Sequence, residues 1–318
     1  MGRYLIRRLI QSFFTLAAIS IVIFGILSLA PGDPLGEFAT NPNISPTLQA
    51  QIRESYGLDE PVHVQYISWA REWVTGNWGR SFGGAGDVRD YVFGRVPVTL
   101  AVIGSSFLVG LLIAIPIGVL SAVKQYSAFD QLATTFAFLG FSIPTFFSGI
   151  VLIYIFSVRL LDTPFALPFV FNSQVDDVWG NVKQAILPVA VLAMFNAAGL
   201  MRFVRASMLE TLNQDYVRTA RAKGLRERLV IVAHAMRNAL IPVVTIIALR
   251  LPGVFGGAII TETIFRIPGI GSALITAINN SDTPVVMSIT FAVAVLVVLF
   301  NIVADVLYAF LDPRIAYD

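Results

Sequence analysis

The sequence predicts an all-α integral membrane protein with six transmembrane helices, and three observations carry that prediction. Only 13% of the 318 residues are charged and 56% are hydrophobic, with a mean hydropathy of +0.75; a soluble domain carries about a quarter charged residues. The apolar residues gather in six runs of roughly 17–27 residues, the length a helix needs to cross a ~30 Å hydrocarbon core at ~1.5 Å per residue. Basic residues fall in alternate connections between those runs, as they do when one side of the membrane retains positive charge.

The first run, residues 9–30, follows Arg3, Arg7 and Arg8. Ser28-Leu29-Ala30 resembles a signal-peptide cleavage site. The run exceeds the ~7–15-residue apolar core of such peptides, however, and Pro31 would follow the scissile bond, so a retained span is expected. Residues 31–97 are too long for a simple connection, and their PGDP, GNWG and FGGAG stretches read as turns. Between these, residues 45–56 and 61–73 read as short amphipathic helices, with Ser45 as an N-cap and Pro46 at the first helical position. Further spans are expected at 98–123, 132–158, 185–201, 239–261 and 285–310; the fourth is short and interrupted by Pro188.

Orientation follows from charge. Arg3, Arg7, Arg8, Lys124, the cluster from Arg202 to Arg237, and Arg314 fall on one side, and Asp162, Asp176, Asp177 and Asp282 on the other. Retaining the bases inside puts both termini in the cytoplasm. The expected organisation is a cytoplasmic N-terminus with helix 1 (1–30), an extracytoplasmic subdomain (31–97), a five-helix core (98–312) containing the loop 202–238, and a cytoplasmic tail (313–318).

Several chemistries are excluded. There are no cysteines, and His63 and His234 are too far apart in sequence to suggest a metal-ligand pair. A phosphate loop requires Gly-Lys, but Lys124, Lys183 and Lys223 follow Val, Val and Ala. No hydrolytic motif is present, so no catalytic residue, metal or nucleic-acid partner is expected. Transport or scaffolding remains, with energy drawn from an ion gradient or from another polypeptide.

The densest charge lies in "DYVRTARAKGLRERL", residues 215–229, with five basic residues against two acids. Tyr216–Lys223 reads as a short helix ending at Gly224, and Leu225–Met236 as a second helix leading to Asn238 and the fifth span. Ala220, Ala222 and Gly224 remove bulk from the elbow, which lets a partner approach the backbone. The plain alternative is a basic loop attracted to anionic lipid.

The stretch "DYVRTARAKGLRERLVIVAHAMRNALIP" resembles the cytoplasmic EAA loop of binding-protein-dependent ABC importer permeases. Within these it is similar to the B-type subunit of the dipeptide/oligopeptide (and nickel) family. Gly224 matches the loop's glycine, Ala220 its second alanine and Thr219 its first, while Arg218 replaces the glutamate. "RYLIRRL", "APGDP", "GNWGRSF", "FSIPTFF" and "TETIFRIPGIGSAL" extend the likeness over nearly the whole chain. The resemblance implies a type I ABC importer permease fold with an extracytoplasmic insertion between helices 1 and 2. It also implies that Asp215, Tyr216, Arg218, Thr219, Ala220, Arg221, Ala222, Lys223, Gly224, Leu225 and Arg226 contact an ATPase subunit. Two such ATPase subunits would hold ATP and Mg, leaving this chain without a cofactor. A second homologous permease would complete a heterodimer, and an extracytoplasmic binding protein would deliver di- or oligopeptides. Relatives also carry nickel chelates, glutathione or oligosaccharides.

Within the spans, Arg250 falls about eleven residues into the fifth, near the bilayer midplane, where an ionisable residue is a functional candidate. It would line the pathway, or else pair structurally beside Pro252. Pro144, Phe146, Gly253 and Gly257 are gate candidates, since proline bends helices and the G-x-x-x-G spacing permits close packing. An ion-driven secondary transporter would favour repeated halves or paired carboxylates, which the sequence does not show clearly. A scaffold would explain the basic loop but not Arg250.

Overall fold

The computed structural model describes residues 2–29, 45–55, 57–250 and 254–311, which form helices and turns with one isolated bridge between Arg80 and Asp87. Five of the described helices are long and apolar enough to cross a membrane, and a sixth span results if one bent pair is counted together. The first, α1 (Gly2–Leu29), has only 11% of its apolar window buried by protein. A helix that is apolar and so little covered by protein is solvated by lipid.

The chain forms two compact units, the first comprising residues 1–99 and 268–299. The expected external helices are α2 (Pro46–Ser55) and α3 (Val62–Thr75), followed by the short α4 (Val88–Phe93). They share their unit with α13 (Ile270–Asn279) and the start of α14 (Thr283–Leu311), which sequence reading assigned elsewhere. Val88 and Val92 are buried against Ile270, Ala273, Val285 and Ile289. An aromatic ladder joins Phe24 of α1 to Tyr66 and Trp69 of α3, and Trp69 and Trp73 to Phe291 of α14. The buried Asp282 carboxylate accepts from Ser81 Oγ and from the backbone N–H groups of Phe82 and Gly83, which ties the glycine-rich turn to the α13–α14 connection.

The second unit comprises residues 100–267 and 300–318. It contains most of α5 (Val96–Val123), then α6 (Ala128–Ser142), α7 (Thr145–Ile153), a π-helical turn (Tyr154–Arg159) and α8 (Val178–Leu212). After these come α9 (Asp215–Ala222), α10 (Glu227–Leu229), a second π-helical turn (Val230–Met236), α11 (Arg237–Arg250) and α12 (Val254–Ile264).

Three spans differ from expectation. The third is not straight: α6 and α7 meet at 103° around Ile143-Pro144. The residue before proline is driven out of the α region, and Pro144 has no N–H to continue the ladder. The fourth runs 35 residues, straight through a buried Pro188. Hydropathy shortened it because Lys183, Arg202 and Arg205 interrupt its apolar run, and Asp177 starts it by accepting from Gly180 N at 2.7 Å. The fifth begins early, with its apolar window at Glu227–Ile247. Asn238 does not interrupt it, since its side-chain amide donates to His234 O within the helix. Arg250 is the last described residue of α11. Pro252 and Gly253 lie outside the described residues.

Helix α8 has 67% of its apolar window buried, the largest share among these spans. Gly118 of α5 sits on it so closely that an added Cβ would lie 2.8 Å from Met201 O and from Val204 Cβ. The colliding oxygen is backbone, so side-chain rotation cannot relieve it. Gly118→Ala is expected to destabilise the protein by about 1–3 kcal/mol through overpacking. Gly104→Ala on the same helix, where nothing lies within 4 Å, should be neutral or gain up to about 1 kcal/mol of helix propensity. Thermal unfolding of the two variants in detergent reads the difference, and equal midpoints would contradict the close crossing.

Candidate functional site

The basic loop folds as sequence reading expected in outline. Helix α9 follows α8 after only Asn213 and Gln214 and ends where Lys223 N donates to Thr219 O and Gly224 N to Arg221 O. Gly224 has φ +75°, a left-handed conformation that favours glycine. A Cβ there would meet nothing within 4 Å, so the backbone conformation and not crowding within the chain demands the glycine.

Residues 221–229 are all exposed, as are Asp215, Tyr216, Arg218 and Thr219. Ala220 is not: it is 5% exposed and, with Val217, faces inward. The expectation that its methyl lies on the outer contact is corrected, because the helical period puts residues 217 and 220 on one face. That face joins a buried cluster with Val204 and Met208 of α8, Val230 and Ala235 of the π turn, and Ala239 and Val243 of α11. Ser207 Oγ donates to Ala239 O at 2.7 Å across the same seam. The elbow is closed by Arg221, whose guanidinium meets the Glu227 carboxylate at 2.8 Å; that hydrogen bond raises the Arg221 pKa against a smaller opposing effect of burial. Arg218 and Asp215 are 3.7 Å apart and exposed, a pair that contributes little.

One charged centre was missed by the sequence reading. Asp130, 3% exposed near the start of α6, accepts from Arg205 Nε and Nη2, both at 2.7 Å, from Tyr126 N at 2.9 Å, and from Ser121 Oγ. It ties α5, the α5–α6 turn and α8 together near the end of α8 that leads to α9. The available signal was Ser127 followed three residues later by Asp130, the spacing of a helix N-terminal capping pair; Ser127 Oγ accepts from Asp130 N.

The remaining candidates are dispersed. Pro144 marks the break between α6 and α7, and Phe146 is exposed on α7. Gly257 lies on α12. The Arg250 guanidinium lies over Gly199 of α8, where an added Cβ would be 2.6 Å from Nη1. Together with Asn196, Leu200, Phe107 and Ile247 it lines a cavity of about 10 Å³.

The profile of the binding-protein-dependent transport system inner membrane component matches residues 114–317, and that family's N-terminal profile matches residues 1–103. The chain belongs to this family. The permease is 42% identical over 318 residues to the oligopeptide transport system permease protein AppB of Bacillus subtilis, each chain covered in full. It is 37% identical over 337 residues to the dipeptide transport system permease protein DppB of Escherichia coli, covering 100% of this chain and 99% of that one. A crystal structure of an amino acid ABC transporter with histidines superposes with a TM-score of 0.53 at 12% identity, covering 69% of this chain and 92% of that one; this likeness supports the fold alone.

The permease is thus a non-catalytic, multi-pass inner-membrane component that works with ATPase and substrate-binding subunits. Its Asp130–Arg205 pair is nearly dry on the acidic side, with side-chain exposures of 4% for Asp130 and 24% for Arg205. Asp130→Asn is expected to cost about 3–5 kcal/mol, because the Arg205 charge would stay half-buried without its partner. Arg205→Met combined with Asp130→Asn should recover part of that loss. A double-mutant cycle of detergent-solubilised permease checks this, and strict additivity would remove the coupling.

Proposed function

We propose that this permease imports di- or oligopeptides, and that the exposed elbow from Tyr216 to Arg226 transmits closure of an ATPase subunit to the membrane helices. One observation carries the reading: an exposed helix–left-handed glycine–helix element whose inner face, Val217 and Ala220, is packed onto both α8 and α11. Force applied to the outer face, at Thr219, Ala222, Lys223, Gly224 and Leu225, has no slack to absorb it before it reaches two spans. The full-length likeness to relatives named as oligopeptide and dipeptide permeases supports the cargo. In this reading a second homologous permease completes a heterodimer and two ATPase subunits hold ATP and Mg. An extracytoplasmic binding protein delivers substrate, and both termini are cytoplasmic. Arg250 and the Pro144 break with Phe146 flank the pathway, and Gly257 of α12 is assigned to the same gate.

The native chain has no cysteine, so each introduced thiol reports alone. Asp176→Cys should label with an impermeant reagent from outside, and Arg226→Cys only after permeabilisation. The reverse pattern would place the elbow away from any cytoplasmic ATPase. A second test concerns docking. Ala222→Cys should crosslink to the ATPase subunit, and Gly224→Trp should uncouple hydrolysis from uptake or shed the ATPase. Gly224→Ala, which adds left-handed strain of about 1–2 kcal/mol but little bulk, should keep most transport. Full transport by Gly224→Trp without a crosslink from residue 222 would sink the assignment.

A further inference from the structure

Two guanidinium groups that stand against α8 have no counter-ion among the described residues. Arg202 of α8 lies with its Cζ 5.0 Å from the ring centroids of both Phe138 and Phe141 of α6, and its Nε is buried without a hydrogen-bond partner. Arg250 of α11 lies over Gly199. Gly199 and Arg202 are three residues apart, so they share a face of α8 and stand about 4.5 Å apart along its axis. Among the described residues neither arginine forms an ion pair or a hydrogen bond, and Asp130 is already taken by Arg205. Aromatic faces offset part of the cost of desolvating a cation, but they leave the N–H donors unsatisfied.

We infer that Arg202 and Arg250 form a binding site for the free carboxylate of a substrate in transit, an inference that rests on the peptide reading above. A guanidinium presents a planar fork that matches a carboxylate, and two of them held against one turn of α8 can grip both of its oxygens. Gly199 fits this role, since any side chain there would push the Arg250 guanidinium away. Position argues against a lipid phosphate as the intended anion. Helix α8 has 35 residues, about 52 Å at 1.5 Å per residue, so a centred ~30 Å hydrocarbon core would end about 11 Å from either terminus. Gly199 and Arg202 stand about 20 and 15 Å from the C-terminal end of the helix on the same scale, inside that core and away from headgroups.

The test uses the complete transporter in vesicles, with binding protein loaded separately with dialanine or dialanine amide and uptake expressed per loaded binding protein. That normalisation removes the binding protein's own preference. Wild type should turn over dialanine about tenfold faster than the amide, the effect of one charge-assisted hydrogen bond. Combined Arg202→Gln and Arg250→Gln should bring the ratio within about twofold, and Gly199→Ala, which displaces one guanidinium and keeps both charges, should lower it too. Should the double variant fail to assemble, Gly199→Ala carries the test. Uptake with an unchanged ratio in these variants overturns the ligand, as does loss of a bound phospholipid or of the second permease with the ratio intact. No uptake of either peptide by the wild type overturns the peptide reading, and this ligand with it.

Discussion

Helix α8 is the constraint on which the second unit depends. Two thirds of its apolar window is shielded by protein, and α5 reaches it only because Gly118 brings no side chain to the crossing. In a bilayer, apolar burial gives little drive for helix association, because lipid tails are as apolar as the helices. Close backbone approach and a few polar ties must therefore do the work. The Asp130–Arg205 pair is such a tie, and Ser207 to Ala239 O another. Each uses a group that would be costly to leave unpaired at that depth, so each holds one arrangement of the helices against its alternatives.

The elbow inherits its stiffness from this arrangement. Two residues separate α8 from α9, and the inward side of α9 belongs to the same apolar cluster as α8 and α11. Charge on the outer face is held loosely by comparison, through exposed pairs that salt screens. The small outer residues and the left-handed glycine shape the contact, and the apolar face beneath them transmits displacement. The Pro144 break and the two π-helical turns interrupt the backbone ladder in the same unit. They are where the unit is least able to keep its helices straight.

Much of the loop was legible because its signals are local. Gly224 terminates a short helix by a rule that involves only neighbouring residues, and the 3.6-residue period is in the sequence for Val217 and Ala220. Ala220 turns inward with Val217, because the helical period outweighs side-chain size in deciding which face of α9 is packed. Asp130 was missed because its partner is 75 positions away, and nothing in either local sequence names the other.

By itself the sequence determined the class of solvent, a count of five or six apolar spans, the absence of a phosphate loop and the helical basic loop. These depend on composition, run length and spacing, which are properties of the chain as a line. Tertiary structure alone decided the bend at Pro144, the length of α8, the inward face of α9, and the encounters of Asp130 with Arg205 and Arg250 with Gly199. These depend on which helices approach closely, and approach is set by side-chain volume at crossings between residues far apart in the chain.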